Sequence, residues 1–288
     1  MRTTTSPSSS TARDVRNLTI SLLSITLLLS TAYSVYYSTY LDTSDPHLAS
    51  LPHPSYHISY FARKSNIFNQ WFVKKAWAWT SGVFALLFIT SPITKQSNGR
   101  IYRYVIASVV WALFTTWFFG PALFERLLTA SGGECVIVLP GSNDAHSIPV
   151  EYCYTRSKLT TTSHPHIFAN LLPAANLGTS DDDSLGANVY SIPADFVARP
   201  RLYRGHDVSG HIFLLTLGIM FLTDQVTFSL FPQPRSTSIW NKLAIVVTVA
   251  LLALWWWMSI MTAVYFHRPA EKLSGFCTSL SFRLVLKC

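Results

Sequence analysis

Two histidines stand where long apolar runs meet polar chain. His211 lies in R-G-H-D-V-S-G-H-I-F-L-L (residues 204–215) and opens one such run. His267 lies in T-A-V-Y-F-H-R-P-A-E-K-L-S-G (residues 262–275) and closes the next. Two consecutive antiparallel spans would bring both imidazoles to one side of a membrane at similar depth. A neutral ring nitrogen of His267 can attack phosphorus, and His211 can give a proton to the oxygen that departs. Ser209 is placed to cap the helix that follows, where unpaired backbone N–H groups favour an anion, and Gly210 lets that anion come close. A reactive histidine needs an acceptor on its other nitrogen, and Asp207 and Glu271 are the candidates. Glu271 is four residues beyond His267, but Pro269 disfavours helix at Arg268, so a helical contact does not follow from the spacing. Arg204, Arg268, Lys272 and Lys74 are candidate cations for a phosphate, although Lys74 reads better as a headgroup anchor. A lone histidine at a span's end is more often interfacial than catalytic. Two of them, with these neighbours, bring catalysis level with that reading.

The elements that must hold these residues are membrane helices. Of 288 residues, 49% are hydrophobic and 12% charged, half the charge of an ordinary soluble domain. The net charge of +8 is scattered at the ends of apolar runs. That pattern suits headgroups and argues against a nucleic-acid partner. The apolar runs predict an all-α, polytopic helical bundle with five clear spans: Leu18–Tyr37, Ala76–Ile93, Ile101–Phe124, Ile212–Phe231 and Leu243–Phe266. A doubtful sixth occupies the last 16 residues, Leu273–Cys288, which is short for a crossing. Residues 1–17 are expected to be a disordered cytosolic tail and 18–288 a single membrane domain. Ile58–Lys75, aromatic and basic, suits a helix in the interface. Residues 125–210 form a long loop, the least legible part of the chain.

Charge suggests the orientation. With a cytosolic N-terminus, Met1–Asn17, Thr94–Arg103 and Pro232–Lys242 carry eight Lys/Arg against one acid, while the loop 126–210 carries six bases and eight acids. Short basic loops stay cytosolic, which puts the long loop and both histidines in the lumen. Four bases between the first two spans run against this count. Cys135 and Cys153, both in that loop, are expected either to pair or to remain free thiols. His164-Pro165-His166 has no third ligand at a useful spacing, so no metal is expected. Asp224, deep in the fourth span, is either functional or bonded to a neighbouring helix.

G-H-D-V-S-G-H-I-F-L-L resembles the D-x-S-G-H-x-F-L-L signature of the fat storage-inducing transmembrane family. Y-F-H-R-P-A-E-K-L-S-G resembles that family's Y-F-H-x-x-x-E-K-x-x-G, and N-I-F-N-Q-W-F-V-K-K-A-W-A-W-T (residues 66–80) resembles its N-x-Y-F-V-K-x-x-W-x-W-T. The resemblance implies an endoplasmic reticulum hydrolase that uses no cofactor. It would cleave the pyrophosphate of fatty acyl-CoA to acyl-4′-phosphopantetheine and adenosine 3′,5′-bisphosphate, in support of phospholipid balance and lipid droplets. It also implies a core like that of the lipid phosphate phosphatases, whose S-G-H motif and nucleophilic histidine match Ser209, His211 and His267 by position. The phosphatases' K-x6-R-P motif is absent, since Ile192 and Met261 stand where its lysine would be. Two alternatives stay open: a lipid phosphate phosphatase, and a non-catalytic protein that binds diacylglycerol or triacylglycerol for droplet budding.

Overall fold

The computed structural model describes residues 9–41, 52–115, 121–139, 145–171, 196–231 and 238–281. The acidic triplet Asp181–Asp183, the aromatics Trp117 to Phe119 and Cys288 lie outside them. The chain divides into two compact units, one of residues 1–42, 51–124 and 207–288, the other of 43–50 and 125–206.

The first unit is helical: α1 (Ser9–Tyr36), α2 (Ala76–Thr90), α3 (Asn98–Thr115), α7 (Gly210–Leu230), α8 (Ile239–Tyr265) and α9 (Pro269–Ser281), with α4 (Leu123–Ala130) running from it into the second. α7 is the central strut. Its residues are apolar on every side and 83% of its span is buried, against 33% for α8, as expected of a helix surrounded by others. Ile212, Phe213, Leu215, Leu217 and Leu222 are almost wholly enclosed. α2 and α3 join through stacked rings, Trp77 on Tyr104 and Trp111, and Phe84 on Tyr104, which together meet Phe221 of α7.

α1, α7 and α8 are long and apolar enough to cross a membrane. α2 is apolar but has only 15 residues, and α3 opens with Arg100 and Arg103. α1 begins at Ser9, so the expected tail is helical from that residue on. Within it Arg16 has a partner: its Nε and Nη2 reach the two oxygens of Asp224 on α7 at 2.9 and 2.6 Å. Asp224 is therefore bonded to a neighbouring helix, one of its two expected roles. The expected interfacial helix over Ile58–Lys75 is instead a 3₁₀ turn at Tyr60–Ala62 and a π-helix at Phe68–Val73. Asn66 sets that geometry, accepting from the Asn69 N–H and donating to the Arg63 carbonyl.

The helix ends sort into two sets. At one end Thr39 Oγ1 donates to the Val264 carbonyl (2.8 Å) and the Leu41 N–H to the Tyr265 carbonyl (3.1 Å). At the other, Lys95 Nζ donates to the Ser229 carbonyl (2.7 Å) and Asn241 Nδ2 to Ser91 Oγ (3.4 Å).

The second unit departs from the all-α expectation, although the chain is mostly helical. Its described residues form an antiparallel sheet ordered β2 (Ala145–Ile148), β1 (Glu134–Val138), β5 (Arg201–Tyr203), and a two-stranded pair of β3 (Leu159–Thr160) with β4 (Val197–Ala198). Two short helices, α5 (Glu151–Tyr154) and α6 (Pro165–Leu171), complete it. β1 reads E-C-V-I-V, β-branched in the manner of strands. Strands of two to five residues are too short to show an alternating pattern. Cys135 and Cys153 form a disulfide inside a core of Ile137, Leu139, Ile148, Leu159, Ile167 and Phe168.

Candidate active site

The site lies where the C-terminal end of α8 meets the N-terminal end of α7, with α9 packed against α7. α8 ends at Tyr265 because Phe266 is extended (φ −127°, ψ 154°) and His267 is left-handed (φ +62°). A residue with a Cβ seldom holds that conformation unless its surroundings impose it. Pro269 then starts α9 at the position where its missing N–H costs nothing.

Glu271, 4% exposed, reaches back from the third helical position. Its Oε2 accepts from the Arg268 N–H at 3.0 Å and lies 3.2 Å from His267 Nδ1. The first contact is half of a capping box; the second fixes the imidazole. His267 and Glu271 therefore meet across a bend, not along a helix, which is how the contact survives Pro269. Asp207 Oδ2 is 3.8 Å from the same Nδ1, a more distant and more exposed partner. With a carboxylate on Nδ1, the proton sits there and Nε2 carries the free lone pair.

Ser209 is fully buried. Its hydroxyl accepts from the Ile212 N–H at 3.4 Å as the N-cap of α7, and its own N–H donates to the Glu271 carbonyl at 3.1 Å. Gly275 permits that closeness: a Cβ there would sit 2.5 Å from the Ser209 carbonyl oxygen. Gly210 has no such constraint, since a Cβ would meet only the Phe124 ring at 3.7 Å. His211, one residue into α7, is half-buried and within electrostatic reach of His267 and Lys74.

The other expected cations divide. Lys272 is 3% exposed, donating to Ser34 Oγ at 2.9 Å and lying over the Tyr40 ring. Burial takes its ammonium down to about 8, opposed in part by Glu271. The contact with Ser34 ties α9 to α1. Arg204 belongs to the other unit, where it lies over Tyr203. Lys74, exposed and bonded to Gln70, is within electrostatic reach of His211. His164 and His166 bond to Ser163 and Tyr152.

Asp207, His267 and Glu271 each offer a ligand atom, and these atoms lie within 4.8 Å of one another. One histidine and two carboxylates can hold a divalent cation, although the sequence grouped these three residues only as a histidine and its candidate acceptors. His53 is a further buried group that the sequence did not single out. Its Nε2 is 2.9 Å from the Tyr265 carbonyl, and burial pushes its pKa below the usual histidine value.

A bundle of apolar helices, three of them long enough to cross a membrane, with a histidine–carboxylate set at one end, defines a membrane protein. The chain belongs to the fat storage-inducing transmembrane family, whose pattern it matches over residues 57–232 and 232–286. It is 29% identical to "Acyl-coenzyme A diphosphatase fit1" of Schizosaccharomyces pombe, over 91% of this chain and 80% of that protein. It is 24% identical to "Acyl-coenzyme A diphosphatase FITM2" of Xenopus tropicalis, over 75% of this chain and 67% of that one. To "Fat storage-inducing transmembrane protein 1" of Sus scrofa it is 24% identical, over 75% and 60%. No solved structure matches the chain.

Proposed function

We propose that this protein is an acyl-CoA diphosphatase of the endoplasmic reticulum membrane. It cleaves the pyrophosphate of fatty acyl-CoA to acyl-4′-phosphopantetheine and adenosine 3′,5′-bisphosphate, in support of phospholipid balance and lipid droplets. The carrying observation is the His267 Nδ1–Glu271 contact of 3.2 Å, with His211 on the adjoining helix end. Glu271 holds the proton on Nδ1, so Nε2 attacks phosphorus. The P–N bond forms as the anhydride P–O bond breaks, and the departing phosphate oxygen takes a proton from His211. Water then cleaves the phosphohistidine, giving its proton back to His211. The negative charge of the bound pyrophosphate favours the imidazolium form of His211 that this step needs. The positive end of the α7 dipole and Lys74 attract that pyrophosphate; on His211 itself they oppose a positive charge, so the bound anion is what protonates it. Asp207 is a second orienting carboxylate.

The proposed topology has a cytosolic N-terminus and five crossings, α1, α2, α3, α7 and α8. It places both histidines and the unit 125–206 in the lumen. The sorting of helix ends supports it, since the residues that meet near His267 all fall on one side of such a path. The helical core would then be arranged like that of the lipid phosphate phosphatases.

Purified protein incubated with oleoyl-CoA should yield acyl-4′-phosphopantetheine and adenosine 3′,5′-bisphosphate in equal amounts by mass spectrometry. Release of inorganic phosphate from phosphatidic acid alone would favour a lipid phosphate phosphatase. No turnover, with saturable binding of diacylglycerol, would favour a lipid-binding role.

A further inference from the structure

We propose that His53 is a positioning residue for His267, acting through the Tyr265 carbonyl; this rests on His267 being the nucleophile. His53 sits in L-P-H-P-S, residues 51–55, a stretch that reads only as a turn. In the fold it is 4% exposed, and both ring nitrogens are engaged. Nδ1 accepts from the Ser55 N–H at 2.9 Å. A backbone N–H can only donate, so the proton must be on Nε2. Nε2–H then donates to the Tyr265 carbonyl at 2.9 Å. The ring also stands edge-on to Tyr265 and Phe266.

Tyr265 is the last residue of α8, and a terminal carbonyl has no partner within its own helix. The chain turns directly after it, extended at Phe266 and left-handed at His267. Such a bend persists only when it is held on both sides. Glu271 holds the far side, through the imidazole and the Arg268 N–H. His53 and the Leu41 N–H hold the near side, both on the Tyr265 oxygen. Because Leu41 alone still satisfies that carbonyl, losing His53 leaves the helix end capped. What is lost is the direction of the backbone that carries Nε2 of His267 toward phosphorus.

The test compares full-length His53→Phe and His53→Gln, purified in detergent, with wild type and His267→Ala, on oleoyl-CoA. Phe keeps the ring and removes both nitrogens. Gln returns an N–H donor at the reach of Nε2. A misplacement of about 1 Å can cost ~10²-fold in rate. The expected result is therefore a kcat for His53→Phe lowered ~10- to 100-fold, with KM and melting temperature unchanged and most of the loss recovered in His53→Gln. Carbethoxylation of His267 by diethyl pyrocarbonate, followed by peptide mass spectrometry, gives a readout independent of turnover. Its rate should change in His53→Phe while that of His211 does not. An unaltered kcat in folded His53→Phe, beside an inactive His267→Ala, overturns the role of His53 and spares the nucleophile. Full activity in His267→Ala overturns the nucleophile; the positioning role then stands or falls on the labelling rate. Unfolding of both His53 variants would make His53 a structural cap and overturn the proposal.

Discussion

At the residue scale, the chemistry turns on which nitrogen of His267 is free. The carboxylate of Glu271 lies against Nδ1 and also caps α9, so a single side chain couples the imidazole to the start of a helix. Replacing Glu271 by Gln keeps the cap's shape but gives His267 Nδ1 a neutral amide oxygen or a donor. The proposed mechanism expects kcat to fall ~10²-fold or more in Glu271→Gln, because the tautomer is no longer enforced. His267→Ala should abolish turnover, and His211→Ala should lose ~10²–10⁴-fold through missing general acid catalysis. Steady-state kinetics on oleoyl-CoA checks all three. A chelator should leave the wild type active; its loss on chelation and recovery with a divalent ion would make Asp207, His267 and Glu271 metal ligands.

Much of this site was legible in its sequence signatures, since His211, His267, Ser209, Asp207 and Glu271 were all singled out. The partner of Lys272 was not legible, since Ser34 lies 238 positions away. His53 carried no local signal, because what makes it informative is a carbonyl 212 positions downstream.

At the element scale, the bundle is held by contacts between helix ends as well as by apolar faces. Arg16 and Asp224 bridge α1 and α7 while both are largely shielded from water. Losing one partner of a buried pair costs up to about 3–5 kcal/mol, whereas replacing both with apolar residues is often neutral. Arg16→Met alone should therefore lower the melting temperature in detergent, and Arg16→Met with Asp224→Leu should restore most of it. Gly275 has a comparable part between α9 and α7. Gly275→Ala would push α9 from the Ser209 carbonyl at a cost of about 1–3 kcal/mol. It should reduce activity and thermal stability together, because Glu271 moves with that helix. Hydropathy alone placed the long helices, to within a few residues for α2, α7 and α8, but α1 starts nine residues before the expected Leu18 and α3 ends at Thr115, not Phe124. The strands of the second unit were not, because their order depends on pairings such as Cys135 with Leu202 and Ile148.

At the scale of the whole molecule, the division into two units changes what the segment 125–206 is. A stretch without hydropathic pattern has its own sheet, disulfide and apolar core. Under the proposed topology this unit matures in the lumen, where disulfides form. Single cysteines introduced at Ser163 and Gln96 should be labelled by a membrane-impermeant maleimide from opposite sides of sealed microsomes, Gln96 from outside. Labelling of Ser163→Cys from outside would reverse the orientation and carry both histidines to the cytosol.

The clamp on the end of α8 has a consequence for biogenesis. Thr39, Leu41 and His53 are made early, yet the carbonyls they hold, on Val264 and Tyr265, emerge from the ribosome more than 200 residues later. Contacts so distant in sequence close late in folding. The bend at His267 has no shape of its own until that closure. A chain stalled or cut before α8 would have its first helix and its folded second unit but no organised imidazole pair. Competence would thus arrive only with the last helices, leaving partially made copies inert toward the acyl-CoA around them.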